Sequence, residues 1–320
     1  MKKPRICVTG AGGFIGTHLI RYLKSRGYWV RGVDLKWPQW SETEADEFYI
    51  MDLRRQVMAT EAMRDVDWVF ALAADMGGMG FITTHDAEII SNNTLINMNS
   101  IAAARKQGVS RYLFSSSACV YPMYLQDDDA RPLAECDAYP ADPQAAYGWE
   151  KLHAEHLCRY YREAGWLDTC VVRFHNCYGP EGSWNDGREK APAALCRKVA
   201  MAELSGYPEV EIWGDGGQVR SYMYVGDCVD GLLRVMQAGY PGPLNIGRDR
   251  EITVDALADA IAGIAGIEID KVHVPGPEGV RRRNSDNTLC RQVLDWEPTT
   301  PVEEGLVPTY EWVREQVRAL

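Results

Sequence analysis

The sequence has no Cys-x-x-Cys pair, and its nine cysteines are scattered along the chain. Structural zinc sites and disulfide frameworks are usually marked by closely spaced cysteines, so we expect neither, and no metal site. No apolar run approaches the ~20 residues that a helix needs to cross a bilayer. The first predicted strand begins at Arg5, which leaves no room for a signal peptide. The sequence therefore predicts a reduced, cytoplasmic protein.

Positive charge is also in short supply. The 34 lysines and arginines are outnumbered by 45 aspartates and glutamates, which gives a formal net charge of −11. This balance argues against general binding to nucleic acid or to a membrane surface. An anionic substrate would have to be held by local cations that act against the overall charge.

The first half of the chain alternates short apolar runs with helical patterns, which is typical of a parallel sheet wrapped by helices. Strands are predicted at Arg5–Thr9, Trp29–Asp34, Phe48–Met51, Trp68–Leu72, Arg111–Ser115 and Thr169–Phe174. Helices are predicted at about 14–26, 54–64, 86–107 and 144–164.

Beyond Phe174 the pattern becomes irregular, with prolines and glycines before a helix that ends near residue 203. A strand and a helix are predicted within 219–236, a short strand at 243–246, and two or three helices after Thr253. The fold class is therefore α/β, with a Rossmann-type, doubly wound parallel sheet and a smaller α/β lobe. Residues 1–175, joined by 219–247, would form the sheet domain, and residues 176–218 with 248–320 would form the lobe.

A glycine-rich turn lies between the first predicted strand and the first predicted helix. Gly10, Gly13 and Gly16 have the spacing that permits a tight turn, close approach of the backbone to a pyrophosphate, and close packing of helix on strand. Phe14 and Ile15 open the helix, whose N-terminus would face the phosphates. The sheet domain is therefore predicted to bind a dinucleotide.

The ends of the next strands indicate which dinucleotide is bound. Asp34 closes the second strand, where its carboxylate can hydrogen-bond the adenosine ribose and would repel a 2′-phosphate, so NAD is favoured over NADP. Asp52 and Leu53 are candidates for an adenine contact, although Asp52 could instead be a capping residue. Residues at the end of the fourth strand would let the cofactor lie against the backbone: Leu72, Ala73 and Ala74.

A serine, a tyrosine and a lysine form a second motif. Tyr147 and Lys151 are one helical turn apart, on the same side of a predicted helix. A free tyrosine has a pKa of about 10, which the charges of Lys151 and oxidised nicotinamide should lower. Ser117 would hold the substrate hydroxyl. Short-chain dehydrogenase/reductases use this arrangement to remove a hydride from a secondary alcohol.

Cys119 and Lys190 each have an ordinary structural alternative. A free cysteine at a strand end is commonly a small buried hydrophobe, and a lone lysine is commonly a surface residue. A thiol, with a pKa of about 8.5, could equally serve as a base beside a new ketone if a nearby cation lowered that value. From the residues alone both interpretations stay open.

Longer segments across almost the whole chain resemble one family. These segments are Ala73–Phe81, Ser116–Pro122, Arg173–Asn176, Gly187–Pro192, Pro275–Arg281 and Arg283–Asn287. In them the chain closely resembles the GDP-mannose 3,5-epimerases, which are extended short-chain dehydrogenase/reductases. The Tyr/Lys pair and the glycines mark only the superfamily, whereas Cys119, the Met/Gly loop at 76–80 and the run at 187–192 are far more specific.

The resemblance implies Cys119 as the base and Lys190 as the acid, on opposite faces of the sugar. Oxidation of C4 by NAD would make the protons on C3 and C5 acidic, and the pair could then invert each centre before the hydride is returned. The implied reaction converts GDP-α-D-mannose to GDP-β-L-galactose, with GDP-L-gulose as the 5-epimer.

A sugar diphosphate needs cations, and the second half of the chain offers Lys198, Arg220 and Arg283. The smaller lobe is therefore predicted to bind the substrate. The resemblance places these and further residues at the substrate: Gly77, Ser117, Ala118, Cys119, Asn176, Glu189, Lys190, Ala191, Gln218, Ser221 and Asp286. It also implies a homodimer, in which the helices at 86–107 and 144–164 pack against their mates as a four-helix bundle.

Three other functions stay open. A C4-epimerase of the same fold would leave Cys119 and Lys190 unexplained. A 4,6-dehydratase would carry acidic residues where Ala118 and Cys119 stand. A catalytically inactive NAD-binding sensor would be expected to have lost Tyr147 or Lys151, and both are present.

Overall fold

Fourteen strands and ten helices are found in the computed structural model, which describes residues 3–320 apart from the side chain of Met79. The strands are β1 (Arg5–Thr9), β2 (Trp29–Asp34), β3 (Glu47–Ile50), β4 (Trp68–Ala71), β5 (Arg111–Ser117), β6 (Thr169–Phe174), β7 (Cys177–Tyr178), β8 (Glu209–Trp213), β9 (Val219–Ser221), β10 (Met223–Tyr224), β11 (Leu244–Ile246), β12 (Glu251–Thr253), β13 (Asp270–Val274) and β14 (Arg282–Arg283). The helices are α1 (Phe14–Ser25), α2 (Gln56–Ala62), α3 (Met79–Ile82), α4 (Asp86–Lys106), α5 (Ala145–Glu163), α6 (Ala191–Ser205), α7 (Val225–Ala238), α8 (Val254–Ala265), α9 (Thr288–Leu294) and α10 (Val302–Arg318).

The central sheet has seven strands in the order β11-β6-β5-β4-β1-β2-β3, and every neighbouring pair is parallel. The strand order reverses between β1 and β4, and ligands of doubly wound sheets bind at such a point, outside the carboxyl ends of the strands. The glycine-rich turn follows β1 and Leu72 follows β4. The predicted Rossmann-type α/β fold is therefore confirmed, and both segments lie at the switch point.

Helices cover both faces of this sheet, which explains why its strands are almost continuously apolar. In β1, Ile6 and Val8 belong to a buried cluster with residues of α1 and α7. Cys7, between them, belongs to the opposite cluster, with residues of α2, α4 and α5. The alternation of side chains along one strand thus joins the two halves of the core.

The smaller lobe has a core of its own, in which α6, α8 and α10 pack around Val199, Leu257 and Leu306. Short sheets surround this core, with β8 paired to β13, β10 to β7, and β9 lying between β12 and β14. The last of these sheets carries Arg220 opposite Arg283. It therefore holds two of the predicted substrate cations side by side.

The strands and helices predicted for the first half are confirmed, each within about two residues at either end. The strands β7, β8, β12, β13 and β14 were not predicted, and α3 was also missed. The domain division stays a prediction, because β9 pairs within the lobe whereas Cys290 of α9 packs in the cluster of α1 and α7. Within residues 3–320, no helix combines the length and apolar character needed to cross a membrane.

Candidate active site

The glycine-rich turn forms a cradle that side chains would fill. Gly10 has a φ of +70°, and a Cβ there would lie 2.8 Å from the backbone carbon of Leu72. A Cβ on Gly16 would lie 2.1 Å from the carbonyl oxygen of Gly10. The backbone segments of β1, α1 and the end of β4 therefore approach each other closely, and no side chain among the described residues caps the N-terminus of α1, whose N–H groups can bind phosphates. These residues fit the pyrophosphate of a dinucleotide.

Asp34 is held at the mouth of this cradle. Its Oδ2 accepts the N–H of Gly12 at 2.9 Å, and its Oδ1 accepts the N–H of Leu35 at 2.6 Å. The carboxylate thus lies where a ribose could be hydrogen-bonded and where a 2′-phosphate would meet negative charge.

The other predicted cofactor residues have structural partners. Hydrogen bonds from the Arg54 guanidinium hold the pKa of Asp52 below its usual range, and Leu53 is buried. The N–H of Ala73 donates to Thr9 Oγ1 at 3.2 Å and so ties the end of β4 to β1. Asp52 is therefore engaged by its own neighbour, as the capping alternative allows, and the adenine contact stays a prediction.

Tyr147 and Lys151 lie on the buried side of α5. Lys151 is 1% exposed, and its Nζ lies 5.4 Å from the centre of the Tyr147 ring and 3.5 Å from Glu150 Oε1. Burial, and then the charges of Glu150 and Cys119, raise the pKa of Tyr147 well above its ordinary value, against a hydrogen bond from Ser117. The expected lowering by Lys151 is therefore not found in the protein alone, because burial first, and then the charge of Glu150, act in the opposite direction.

Cys119 lies in a turn of 3₁₀ helix directly after β5. Its N–H donates to Ser117 Oγ at 3.1 Å. A Cβ on Gly148 would lie 2.3 Å from the carbonyl oxygen of Cys119, so the glycine that follows Tyr147 lets α5 pack onto this turn. This close approach brings Cys119 and Tyr147 into one buried cluster.

Arg283, from the far end of the chain, reaches the same place. Its Nη1 lies 3.6 Å from Cys119 Sγ, its Nη2 donates to Gln144 Oε1 at 2.8 Å, and its Nε donates to Gln126 Oε1 at 2.5 Å. A cation thus lies beside the predicted base. The sequence did not identify the two glutamines, although Gln144 precedes Tyr147 by about one turn. Asp286, by contrast, accepts the N–H of Thr288 at 2.8 Å, and its ligand contact stays a prediction.

Arg220 stands next to Arg283 across the pairing of β9 and β14. It donates to the carbonyl oxygens of Val219 at 2.8 Å and Val280 at 2.6 Å, and no carboxylate among the described residues forms an ion pair with either arginine. Burial, followed by the charge of Arg283, lowers the pKa of Arg220 to about 10. Two adjacent guanidiniums without a counter-anion suit a diphosphate, which can accept paired hydrogen bonds from both.

Six buried side-chain polar atoms have no hydrogen-bond partner in the described chain, and three of them are Glu189 Oε2, Gln218 Oε1 and Ser221 Oγ. Buried polar groups are almost always paired, and an unpaired one is costly. All three belong to residues that the resemblance places at the substrate. A polar ligand that reached them would supply the missing partners.

Other predicted residues are fixed by backbone contacts. Asn176, with a φ of 36°, donates from Nδ2 to the carbonyl oxygen of Ser221 at 3.1 Å. Lys198 donates to the carbonyl oxygen of Glu211 at 2.7 Å, and burial lowers its pKa. Ala118 is buried in the turn that carries Cys119. The substrate contacts that the resemblance implies for these three residues stay predictions.

Lys190 lies just before α6, which begins at Ala191, and its side chain is half-buried. Its segment is joined to the Met/Gly loop, because the N–H of Gly78 donates to the carbonyl oxygen of Arg188 at 2.9 Å. Gly77, the neighbouring loop residue, is buried. The run at 187–192, which carries Lys190, is therefore in contact with the Met/Gly loop, which carries Gly77.

Known proteins are similar to this chain in both sequence and fold. A family model described as the NAD dependent epimerase/dehydratase family matches residues 6–247. The GDP-mannose 3,5-epimerase 1 of Oryza sativa subsp. indica is 45% identical over 318 residues, which cover 99% of this chain and 83% of that protein. The GDP-mannose 3,5-epimerase of Arabidopsis thaliana is 44% identical over 316 residues, which cover 98% and 83%.

Among solved structures, the UDP-glucose 4-epimerase of Thermotoga maritima with UDP-glucose has a TM-score of 0.85 at 29% identity and covers 98% of this chain and 99% of its own. MoeE5 in complex with UDP-glucose and NAD has a TM-score of 0.83 at 28% identity, with coverage of 98% and 99%. The cofactor of the family is NAD. The chain therefore belongs to the NAD dependent epimerase/dehydratase family, and within it to the GDP-mannose 3,5-epimerases.

Proposed function

We propose that this chain is an isomerase that converts GDP-α-D-mannose to GDP-β-L-galactose, with GDP-L-gulose as the 5-epimer. One observation carries the proposal: Cys119 lies in a buried cluster with Tyr147, and the guanidinium of Arg283 lies 3.6 Å from its sulfur. A C4-epimerase has no need of a thiol at that place. The relatives at 44% and 45% identity carry the same activity in their names.

When bound, NAD supplies the acceptor for the hydride of the sugar's C4 carbon and later returns it. Ser117 and Tyr147 would bind the C4 hydroxyl, and Tyr147 would take its proton. Lys151 would hold the ribose of the cofactor while its charge supports the tyrosinate. The buried positions of Tyr147 and Lys151 exclude water from this exchange.

The ketone at C4 makes the protons on both neighbouring carbons acidic. Cys119 would remove such a proton, and Lys190 would deliver one to the opposite face, which inverts the carbon without net gain or loss of atoms. Once Cys119 has lost its proton to solvent and Lys190 has regained one, repeating the exchange at the second carbon gives the 3,5-epimer, and stopping after C5 gives the 5-epimer. The return of the hydride and of Tyr147's proton then restores the alcohol.

The diphosphate would neutralise the paired guanidiniums of Arg220 and Arg283. Glu189, Gln218 and Ser221 each offer a buried polar atom that lacks a partner in the described chain, so sugar or ribose hydroxyls would complete their hydrogen bonds. Arg283 would then contact both Cys119 and the substrate. Binding and proton transfer would share this residue.

Incubation with GDP-mannose followed by NMR of the products tests the proposal. We expect GDP-L-galactose and GDP-L-gulose, and, in D₂O, deuterium at C3 and C5 of the sugar. A product changed only at C4, or a 4-keto-6-deoxy sugar, would mean a C4-epimerase or a dehydratase instead. No change in any nucleotide sugar, with NAD still bound, would favour an inactive sensor.

We also propose a homodimer and a cytoplasmic location. Exposed apolar side chains on α4 and α5 support the dimer. All nine cysteines are free, eight of them buried, which supports a reducing compartment. Fractionation of cells that produce the protein tests the location, and recovery in an oxidising compartment would contradict it.

A further inference from the structure

Glu150 is a buried carboxylate that the proposed chemistry does not use. It lies on α5 between Trp149 and Lys151 and is 2% exposed. Its Oε1 lies 3.5 Å from Lys151 Nζ and accepts from Asn93 Nδ2 at 2.9 Å, while its Oε2 accepts from Asn97 Nδ2 at 3.0 Å. Both carboxylate oxygens are therefore held, and the two asparagines come from the neighbouring helix α4.

Burying a carboxylate costs free energy, so packing alone does not explain Glu150. Burial raises the pKa of Glu150, and Lys151 and both asparagines act against that rise. An apolar side chain of similar volume would often serve packing as well or better. The ammonium of Lys151, in turn, is 1% exposed and would lie in the interior without a counter-charge if Glu150 were neutral. Charge balance, rather than packing, explains the carboxylate.

The same cluster reaches beyond the redox pair. Asn93 accepts the N–H of Asp75 at 2.6 Å and donates to its carbonyl oxygen at 3.0 Å. The Asp75 carboxylate accepts from Arg188 at 3.0 Å, in the segment that carries Lys190. Glu150 is thus fixed by a framework that is itself tied to the Met/Gly loop.

We propose that Glu150 is a positioning residue of the redox pair: it fixes the ammonium of Lys151 and balances its charge, so that Tyr147 becomes a base only when a positively charged cofactor arrives. The inference rests on the proposed function for C4 oxidation alone, and not on the later proton transfers. Three other titratable groups lie around Tyr147 and Lys151. Cys119 packs beside Tyr147, Asp75 shares Asn93, and Asp86 Oδ1 accepts the N–H of Ala146 at 2.9 Å.

The variant Glu150→Gln removes the charge and keeps the shape. With less negative charge near Tyr147, the acid limb of the pH profile for NADH formation in a single turnover with GDP-mannose should move to lower pH, by about one unit. Glu150→Asp keeps the charge and should lower the rate without moving the limb. Glu163→Gln, at the exposed end of the same helix, should change neither.

Asn97→Ala provides a second test if Glu150→Gln does not fold. Its loss removes a hydrogen bond that stabilises ionised Glu150, so the limb should move in the same direction by a smaller amount. A limb that stays at the wild-type pH in Glu150→Gln and Asn97→Ala, or in whichever of these two is soluble, would overturn the proposal.

Proton release on NAD binding gives a readout that needs no substrate. Calorimetric titration of the cofactor-free enzyme with NAD, in buffers of different ionisation enthalpy, counts the protons lost. We expect wild type to release a proton near neutral pH and Glu150→Gln to release fewer, because its tyrosine is already partly ionised. Equal release from both enzymes contradicts the charge-balancing role. The count stays informative even if the enzyme fails to epimerise GDP-mannose, so the two proposals can fail separately.

Discussion

At the scale of single residues, Cys119 shows how surroundings distinguish one thiol from others in the same protein. Burial raises the pKa of Cys7, Cys170 and Cys290 each to about 12, which suits inert packing residues. Cys119 is also buried, but the Nη1 of Arg283 lies 3.6 Å from its sulfur. The residue type is common to all four, and only Cys119 has this contact with Arg283.

Replacing Cys119 with alanine should separate proton transfer from hydride transfer. We expect Cys119→Ala and Lys190→Ala each to reduce epimerisation by ~10²–10⁴-fold while C4 oxidation, seen as NADH absorbance, persists. Tyr147→Phe should suppress both, because it removes the base for the first step. Deuterium incorporation at C3 and C5 is the measurement, and Cys136→Ala, an exposed cysteine, is the control. Wild-type exchange by Cys119→Ala would return this cysteine to an ordinary packing role.

His175 should make the fold sensitive to mild acid. Burial lowers its pKa from 6.5 to about 3, so between these values the unfolded chain binds a proton that the folded chain does not. Stability therefore rises with pH and is lost as the pH falls below 6.5, by roughly 1.4 kcal/mol between pH 7.5 and 5.5. Urea unfolding at the two pH values measures the effect.

His175→Gln is the matched variant for that measurement. Burial also lowers the pKa of His18, which acts in the same direction, so only the difference between wild type and the variant isolates His175. The variant should lose most of the His175 contribution. An equal loss of stability in both proteins would assign the acid sensitivity elsewhere.

At the scale of elements, the sequence predicted the helices and strands that are long enough to show a regular apolar pattern. The helices α4 and α5 and the strands of the central sheet were found because each spans enough residues to show its periodicity. The strands β12 and β14 have three and two residues, too few for any pattern. In β8, buried Val210 and Ile212 do alternate with exposed residues, but its partner β13 lies far along the chain.

The candidate site divides in the same way. The glycines, Tyr147 and Lys151 sit at fixed spacings on single elements, so the sequence could identify them. The contact between Cys119 and Arg283 joins residues 164 positions apart and depends on how the lobe packs on the sheet domain. Spacing cannot show such a contact, and the sequence accordingly predicted Arg283 as a substrate-binding cation and not as a neighbour of Cys119.

The contact between the Met/Gly loop and the segment of Lys190 suggests a further variant. Arg188 donates to Asp75 Oδ1 at 3.0 Å and lies 3.8 Å over the ring of Phe81. Arg188→Gln should loosen Lys190 and slow epimerisation several-fold more than C4 oxidation, because Lys190 lies in the segment that loses a contact, whereas Glu150 keeps its direct bonds to Asn93 and Asn97. Rates of NADH formation and of product formation measure the two steps. Arg64→Gln, an exposed residue just after α2, is the control, and equal loss in both steps would contradict the expectation.

At the scale of the whole molecule, the cofactor should stay bound through many turnovers. Its loss after C4 oxidation would strand a ketone, and the close approach of the cradle to the end of β4 favours tight binding of the pyrophosphate. We expect purified protein, once denatured, to release NAD(H) in a near-stoichiometric amount. Activity that depends instead on added NADP would show that Asp34 has been misinterpreted.

The assembly should depend on the outer sides of α4 and α5. Leu95 and Met98 on α4, and Trp149 and Tyr160 on α5, are between 48% and 55% exposed, although the two helices pack against each other. Large exposed apolar groups on adjacent helices are typical of an interface, and a second copy of the same helices would bury them around a two-fold axis. Sedimentation at micromolar concentration should therefore give a dimer.

Charge placed in this surface should separate the subunits. Met98→Glu combined with Trp149→Glu would bury like charges at a two-fold interface, and we expect it to sediment as a folded monomer. Val57→Glu, on the exposed side of α2, introduces one negative charge outside the patch and should leave the dimer intact. A wild-type monomer at micromolar concentration, or a dimer that survives the double substitution, would place the interface elsewhere or exclude it.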